Sequence, residues 1–162
     1  RRILIFGNSG SGKSTLAKKL CDEHAWPHLD LDTLAWQATQ PPIRQPLNES
    51  KESIDKFSQA TSEWVIEGCY TDLLQCAEPY ANEIVFMNLP VSECIANAKQ
   101  RPWEPHKYDS KAAQDENLPF LIEWISQYAE RTDTLSNQAH QFFYRSFKGR
   151  KTSHTNNSHQ QD

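Results

Sequence analysis

No stretch of the 162 residues approaches the ~20 consecutive apolar positions of a membrane span, and the N-terminal apolar run, Ile3 to Phe6, is too short for a signal peptide. A cytoplasmic protein without a membrane partner is the expectation. Cysteine is scarce and unpatterned: Cys21, Cys69, Cys76 and Cys94 form no CxxC pair, and His24 and His28 lie around a proline rather than on one helix face. That argues against a metal centre and for reduced thiols, with Cys21 and Cys94 as small core residues. Basic charge is not in excess either. Seventeen Lys and Arg against 21 Asp and Glu give −4 and a pI near 5.9, so the chain has no general attraction for nucleic acid or an anionic membrane. Internal repeats are absent, and the one low-complexity stretch is the Ser/Asn/Gln/His-rich tail. The length suits a single domain, 1–162, that buries roughly two-thirds of its unfolded surface.

Against these absences stands one specific pattern. Gly7, Asn8, Ser9, Gly10, Ser11, Gly12, Lys13 and Ser14 fit GxxxxGK[ST] directly after the apolar run. Glycines let backbone N–H groups converge on a polyphosphate, and the helix that follows points about half a positive charge at it. Lys13 is placed to neutralise the β- and γ-phosphates of a nucleotide, and the Ser14 hydroxyl to bind Mg²⁺, while Thr15 opens an amphipathic helix carrying Leu16, Leu20 and Cys21.

Further along, His28 to Thr33 alternate polar and apolar and predict a second strand with acidic residues at its C-terminal end. Pro41, Pro42 and Pro46 make residues 36–47 an extended excursion, and a helix capped by Asn48 follows; together, 36–62 form a segment that covers an acceptor. A third strand ends at Glu67, and Asp72 caps a short helix through Ala77. A fourth strand occupies 83–89, its continuous apolar run suited to a parallel strand covered on both faces. Pro90 and Ser92 start the next helix. The polar segment 101–117, with Arg101, His106, Lys107 and Lys111 among Trp103, Pro105 and Tyr108, reads as a lid. Asn117 and Pro119 fit the N-cap and first turn of a long helix, another helix spans 134–147, and the stretch from Gly149 to Asp162 adds a last strand before fraying.

A guanine-reading NKxD, a DxxG switch and a hydrophobic strand ending in Asp-Glu are all missing, which leaves a compact kinase among the phosphate-loop classes. GNSGSGKSTLAKKL, the acidic pair after the second strand, WVIEGCY and the basic segment around RPWEPHKY together resemble the adenylate kinase-like and shikimate kinase-like family of small P-loop kinases. WVIEGCY is in particular similar to the WVIDGNY of kinase-like proteins labelled DNA-topology modulators. The resemblance covers nearly the whole chain. It implies an α/β three-layer fold, with a parallel five-stranded sheet, a helical lid and an ATP site at the strand C-termini.

By position, the resemblance also implies roles. Glu67 stands where adenylate kinases hold Mg²⁺ with an aspartate. Asp30 and Asp32 resemble the DxD of shikimate kinases, whose second aspartate meets the substrate hydroxyl, so Asp32 would orient or deprotonate an acceptor. The glycine run after the third strand and the substrate arginines of shikimate kinases are not found, and shikimate itself is unsupported. Arg101 follows the helix after which family members place an arginine, and Arg131 is the second candidate for charge on the moving phosphoryl group. Arg44 is placed to grip an acceptor phosphate. Lys107 and Lys111 read as solvated charges. Trp103 and Tyr108 either stack on a base or anchor the loop, and His106 and His140 receive no role. The expected activity is transfer of the γ-phosphoryl of ATP, with Mg²⁺, to a nucleoside monophosphate or a small hydroxylated metabolite, by a monomer or weak dimer. The alternative is an ATP-binding regulator that acts through a partner.

Overall fold

The computed structural model describes residues 1–158. Five strands, β1 (Arg2–Gly7), β2 (His28–Asp30), β3 (Trp64–Gly68), β4 (Glu83–Met87) and β5 (Arg150–His154), form one sheet in the order β2-β3-β1-β4-β5. Every pairing is parallel. The expected α/β three-layer arrangement with a five-stranded parallel sheet is therefore present, including the last strand near the C-terminus. The expected fraying beyond 158 lies outside the described residues.

Alternation along the strands divides the core. On one face Leu4, Phe6, Trp64, Ile66 and Phe86 pack with Ile54 of α3 (Leu47–Ala60), Leu73 and Leu74 of α4 (Thr71–Ala77) and Phe143 of α7 (Asn137–Ser146). On the other, Ile3, Ile5, Val65, Val85 and Met87 meet Leu16 and Ala17 of α1 (Lys13–His24), Cys94 and Ala98 of α5 (Val91–Lys99) and Ile125 of α6 (Lys111–Ser126). The central strands are buried on both faces, as their near-continuous apolar runs require. Where the side chain is polar it is partnered. Glu83 at the start of β4 takes two hydrogen bonds from the Arg1 guanidinium, each 3.0 Å, and Trp64 Nε1 donates to Ser58 O at 3.1 Å.

Several local boundaries differ from the sequence reading. The second strand stops at Asp30, and Asp32 belongs to a short helix, α2 (Asp32–Ala35). Leu31 turns its side chain into the core, and Asp30 Oδ1 accepts from the Asp32 amide at 2.9 Å, which ends the strand with an Asx turn. The helix expected from Asn48 starts at Leu47 behind Pro46, whose carbonyl accepts from the amides of Glu49 and Ser50. Asp72 lies in the first turn of α4 rather than capping it; Thr71 is anchored there by its amide and hydroxyl, both donating to Thr134 O. The fourth strand ends at Met87.

The largest correction concerns the lid. Asn117 and Pro119 do not begin a helix: α6 starts at Lys111, where Ser110 Oγ caps the Ala113 amide at 3.0 Å, and Pro119 sits inside it. An interior proline removes one helical hydrogen bond, and here it falls on the exposed face, where water can serve the freed carbonyl. The irregular part of the segment expected as a lid is thus 101–110, and the remainder of 101–117 is helical. Likewise α7 starts at Asn137 rather than Thr134, capped by Ser136 Oγ on the Ala139 amide at 3.1 Å. No helix among the described residues is long and apolar enough to cross a membrane.

Candidate functional site

The loop between β1 and α1 is built on close approach. A Cβ at Gly10, where φ is +79°, would collide with the Cys94 carbonyl oxygen, and one at Gly7 would meet Met87 O at 2.5 Å. Gly12, also left-handed at φ 90°, leads into Lys13 and the first turn of α1. Gly7 and Gly12 are the glycines that the GxxxxGK[ST] spacing fixes, and Gly10, at one of its free positions, is required here by the close approach of Cys94. Lys13 Nζ donates to Asn8 O at 2.8 Å and so lies folded across the loop. Ser9 is half-buried, Asn8 and Ser11 are buried, and Ser14 and Thr15 are exposed at the mouth. Asn8 Oδ1 and Ser11 Oγ are buried without a hydrogen-bond partner among the described residues, so this loop holds polar atoms whose partners the fold does not supply.

Adjacent strand ends bring the carboxylates to the same place. Asp30 of β2 pairs in register with Glu67 of β3, which in turn pairs with Ile5 of β1. Glu67 is buried and accepts from Ser14 Oγ at 2.8 Å. Burial, then the nearby Asp30 charge, pushes its carboxyl up to about 8, against the opposing pull of Lys13 and Ser14. The Ser14 hydroxyl and the Glu67 carboxyl, 2.8 Å apart, offer the oxygen ligands a hard divalent cation takes, and such a cation would oppose the burial and the Asp30 charge that raise the carboxyl. No cluster of three or more Cys, His, Asp or Glu side chains suited to a metal exists among the described residues. Mg²⁺ would therefore take Ser14 and Glu67 and complete its shell from phosphate oxygens and water, as this ion commonly does.

Asp32 stands at the opening of α2 and joins three elements. Tyr70, just beyond β3, donates its hydroxyl to Asp32 Oδ1 at 2.5 Å, and Trp36 Nε1 donates to the Tyr70 oxygen at 3.0 Å. From the lid, the Lys107 ammonium reaches Asp32 Oδ2 at 3.2 Å and Glu104 at 3.6 Å. Burial would raise the Asp32 carboxyl, but Lys107, Tyr70 and Lys13 outweigh it and hold it below the usual range. For Lys107, burial works against the charge, and Asp32 and Glu104 more than reverse this, keeping it raised. Both partners thus favour the ion pair. Burial pushes the Cys69 thiol up to about 12, which disfavours the thiolate.

The remaining candidates are engaged elsewhere in this conformation. Arg44 pairs with Asp72 at 3.0 Å, donates to Ala35 O and lies over the Tyr70 ring at 5.0 Å. Arg101 pairs with Glu104 at 3.3 Å within the lid. Trp103 Nε1 donates to Tyr108 O at 3.0 Å, so these two aromatics anchor the lid. Arg131 stacks on Trp124 at 3.7 Å and donates to Trp124 O and Leu135 O, tying the end of α6 to the following turn. His140, left without a role by sequence, proves to be fully buried: its Nε2 donates to Cys69 O at 2.7 Å, and the Tyr128 hydroxyl donates to Nδ1 at 2.6 Å.

Lys107 and Tyr70 meet the candidate Asp32 without having been singled out from the sequence. Lys107, expected as a solvated charge, is drawn to Asp32 and Glu104 instead, and nothing in the sequence set it apart from Lys111. Tyr70 carried a signal, since it closes the WVIEGCY stretch just after Glu67. A cleft of about 350 Å³ opens between α2 and α3 beside Trp36, but no phosphate-loop residue lines it.

Among known proteins, a family model described as AAA domain matches residues 3–83, half of the chain, from β1 to the start of β4. Uncharacterized protein YqaC of Bacillus subtilis (strain 168) is 24% identical over 130 residues, covering 79% of this chain and 72% of that protein. A sugar kinase structure from Janibacter sp. HTCC2649 superposes with a TM-score of 0.47 at 16% identity, covering 78% of this chain and 94% of the other. A structure of an uncharacterized protein from Eubacterium ventriosum ATCC 27560 also gives 0.47, at 17% identity, covering 96% and 90% of the two chains.

Proposed function

The chain belongs to the AAA domain family, and from that premise we propose that it is an ATP-dependent phosphotransferase whose acceptor is a small hydroxylated molecule. The observation that carries the reading is Asp32: a carboxylate held between Tyr70 and Lys107, within the field of the phosphate-loop Lys13. The juxtaposition of Asp32 with the glycine loop and its Lys13 supports reading Asp32 as the acceptor-side carboxylate.

Phosphoryl transfer asks for position and positive charge more than for covalent help. In this reading the glycine loop and Lys13 hold the polyphosphate of ATP. Mg²⁺, when bound at Ser14 and Glu67, neutralises charge on the phosphate oxygens. Asp32 accepts a hydrogen bond from the acceptor hydroxyl and fixes its oxygen in line with the γ-phosphorus. The new P–O bond forms as the bond to the β–γ bridging oxygen breaks, and the hydroxyl proton passes to Asp32. Because Lys107 and Tyr70 keep the Asp32 carboxyl below its usual range, it is a weak base that orients first and takes the proton late, as a loose transition state permits. Lys107, held against Asp32, keeps a positive charge beside the acceptor.

The hydroxylated acceptor is preferred to a nucleoside monophosphate because Asp32, which would orient a hydroxyl, lies within the field of the phosphate-loop Lys13, whereas Arg44, the cation suggested for an acceptor phosphate, would have to give up Asp72. The test is acceptor-stimulated ADP release, measured with sugar- and cyclitol-like alcohols against nucleoside monophosphates. Stimulation by alcohols supports the reading, and stimulation by monophosphates alone moves the acceptor to Arg44. ATP binding with no stimulation by either replaces it with a nucleotide-binding regulator that acts through a partner.

A further inference from the structure

The phosphate loop is held from outside by two asparagines that lie far from it in sequence. Asn97 of α5 donates through Nδ2 to Gly10 O at 2.8 Å and to Asn157 Oδ1 at 2.8 Å. Asn157, three residues past β5, donates through its own Nδ2 to Ser11 O at 3.1 Å. Asn157 is half-buried while Thr155, Asn156 and Ser158 around it are exposed. Asn156 Oδ1 accepts from the Ser158 amide at 3.0 Å and from its hydroxyl at 2.6 Å, making the turn that presents Asn157. On the same side, the Cys94 carbonyl stands where a side chain at Gly10 would be. The outer wall of the loop is therefore α5 together with the C-terminal segment.

The physical need for such a wall lies in the glycines. With Gly10 and Gly12 flanking Ser11, the two peptide planes on either side of Ser11 meet little steric resistance to turning over. A carbonyl turned inward would present its negative end to a bound phosphate. The paired amides hold the carbonyls of Gly10 and Ser11 outward, and each hydrogen bond is shared in a closed chain from Gly10 through Asn97 and Asn157 to Ser11.

Resting on the nucleotide-binding reading above, we propose that Asn97 and Asn157 are positioning residues that form an amide tie. The tie holds the phosphate loop in its anion-accepting form and makes the order of the C-terminal segment depend on nucleotide occupancy. Coupling of this kind is reciprocal: if the segment favours ATP, ATP favours the ordered segment.

The experiment measures Mg-ATP binding by calorimetry for the full chain and for Asn97→Ala, Asn157→Ala, the double variant and Lys13→Ala. Hydrogen exchange of residues 154–158 is followed with and without ATP. Loss of a hydrogen bond at this level predicts a rise in Kd of roughly five- to tenfold for each single variant. The double variant should be no weaker than the poorer single one, because the tie breaks as a unit. ATP should slow exchange in 154–158 of the native chain and not in Asn97→Ala or Lys13→Ala. Native affinity in the asparagine variants, strictly additive losses, or exchange in the segment that ignores ATP overturns the tie while leaving nucleotide binding in place. Absence of Mg-ATP binding by the native chain overturns both.

Discussion

Acidification should weaken the fold through one buried side chain, His140. Burial, reinforced by the charges of Lys13 and Arg131, lowers its imidazole from 6.5 to about 4, although its bond to Cys69 O works the other way. The native state therefore keeps His140 neutral where the unfolded chain protonates it. The unfolded state binds more protons as pH falls, so this contribution is fully present above about 6.5 and is lost progressively between 6.5 and about 4. At about 1.4 kcal/mol per pH unit the interval amounts to roughly 3 kcal/mol. Protonation would also put a second donor against the Tyr128 hydroxyl, which now donates to Nδ1. The assay is urea unfolding followed by tryptophan fluorescence from about pH 7.5 to 4, comparing the native chain with His140→Gln. Glutamine retains a donor for Cys69 O and gives up the acceptor for Tyr128, so it should cost about 1–3 kcal/mol near neutral pH. It should also remove the slope that His140 contributes, while the other titrating groups cancel in the difference. Parallel stability curves for the two proteins would refute the reasoning.

Four further outcomes follow from the site. Lys13→Ala should abolish measurable ATP turnover, read by coupled ADP release, with little change in melting temperature, since the Nζ bond seen among the described residues stays within the loop, at Asn8 O. Asp32→Asn should lower turnover roughly 10²–10⁴-fold with ATP affinity preserved, and Lys107→Ala should lower it roughly 10²–10³-fold; unchanged kcat in both would remove the acceptor-side assignment. Gly10→Ala, with its Cβ driven against the Cys94 carbonyl in a left-handed conformation, should cost roughly 1–3 kcal/mol, seen as a melting temperature lower by about 3–10 °C.

What could be read in advance was local or periodic. The phosphate loop announces itself because glycine, lysine and serine must stand at fixed spacing for a backbone to wrap a polyphosphate, and the apolar strands β1, β3 and β4 because a doubly covered parallel sheet needs unbroken hydrophobic runs. The chain therefore determined its fold class without help from coordinates, and the GxxxxGK[ST] loop and the carboxylates at Asp30, Asp32 and Glu67 stood out as candidates. Helix starts were less legible. Asn117 and Pro119 looked like a start, yet the helix begins at Lys111, because Ser110 caps it and the exposed Pro119 is tolerated within it.

Only the tertiary structure decided which charges work together. Lys107 and Lys111 are alike in sequence, but the turn at Glu104 carries Lys107 to Asp32 while Lys111 pairs with Asp115 on the helix surface. Arg44 and Arg131 looked available and are engaged with Asp72 and with the carbonyls at the end of α6. His140 had no visible partner because Cys69 and Tyr128 reach it from other elements. Asn157 stood in a low-complexity tail until β5 carried it back to the phosphate loop. The reason is common to all of them. A backbone motif needs only neighbours along the chain, whereas the charge state and partners of a side chain depend on what the fold places within a few ångströms of it, and how much water it leaves there.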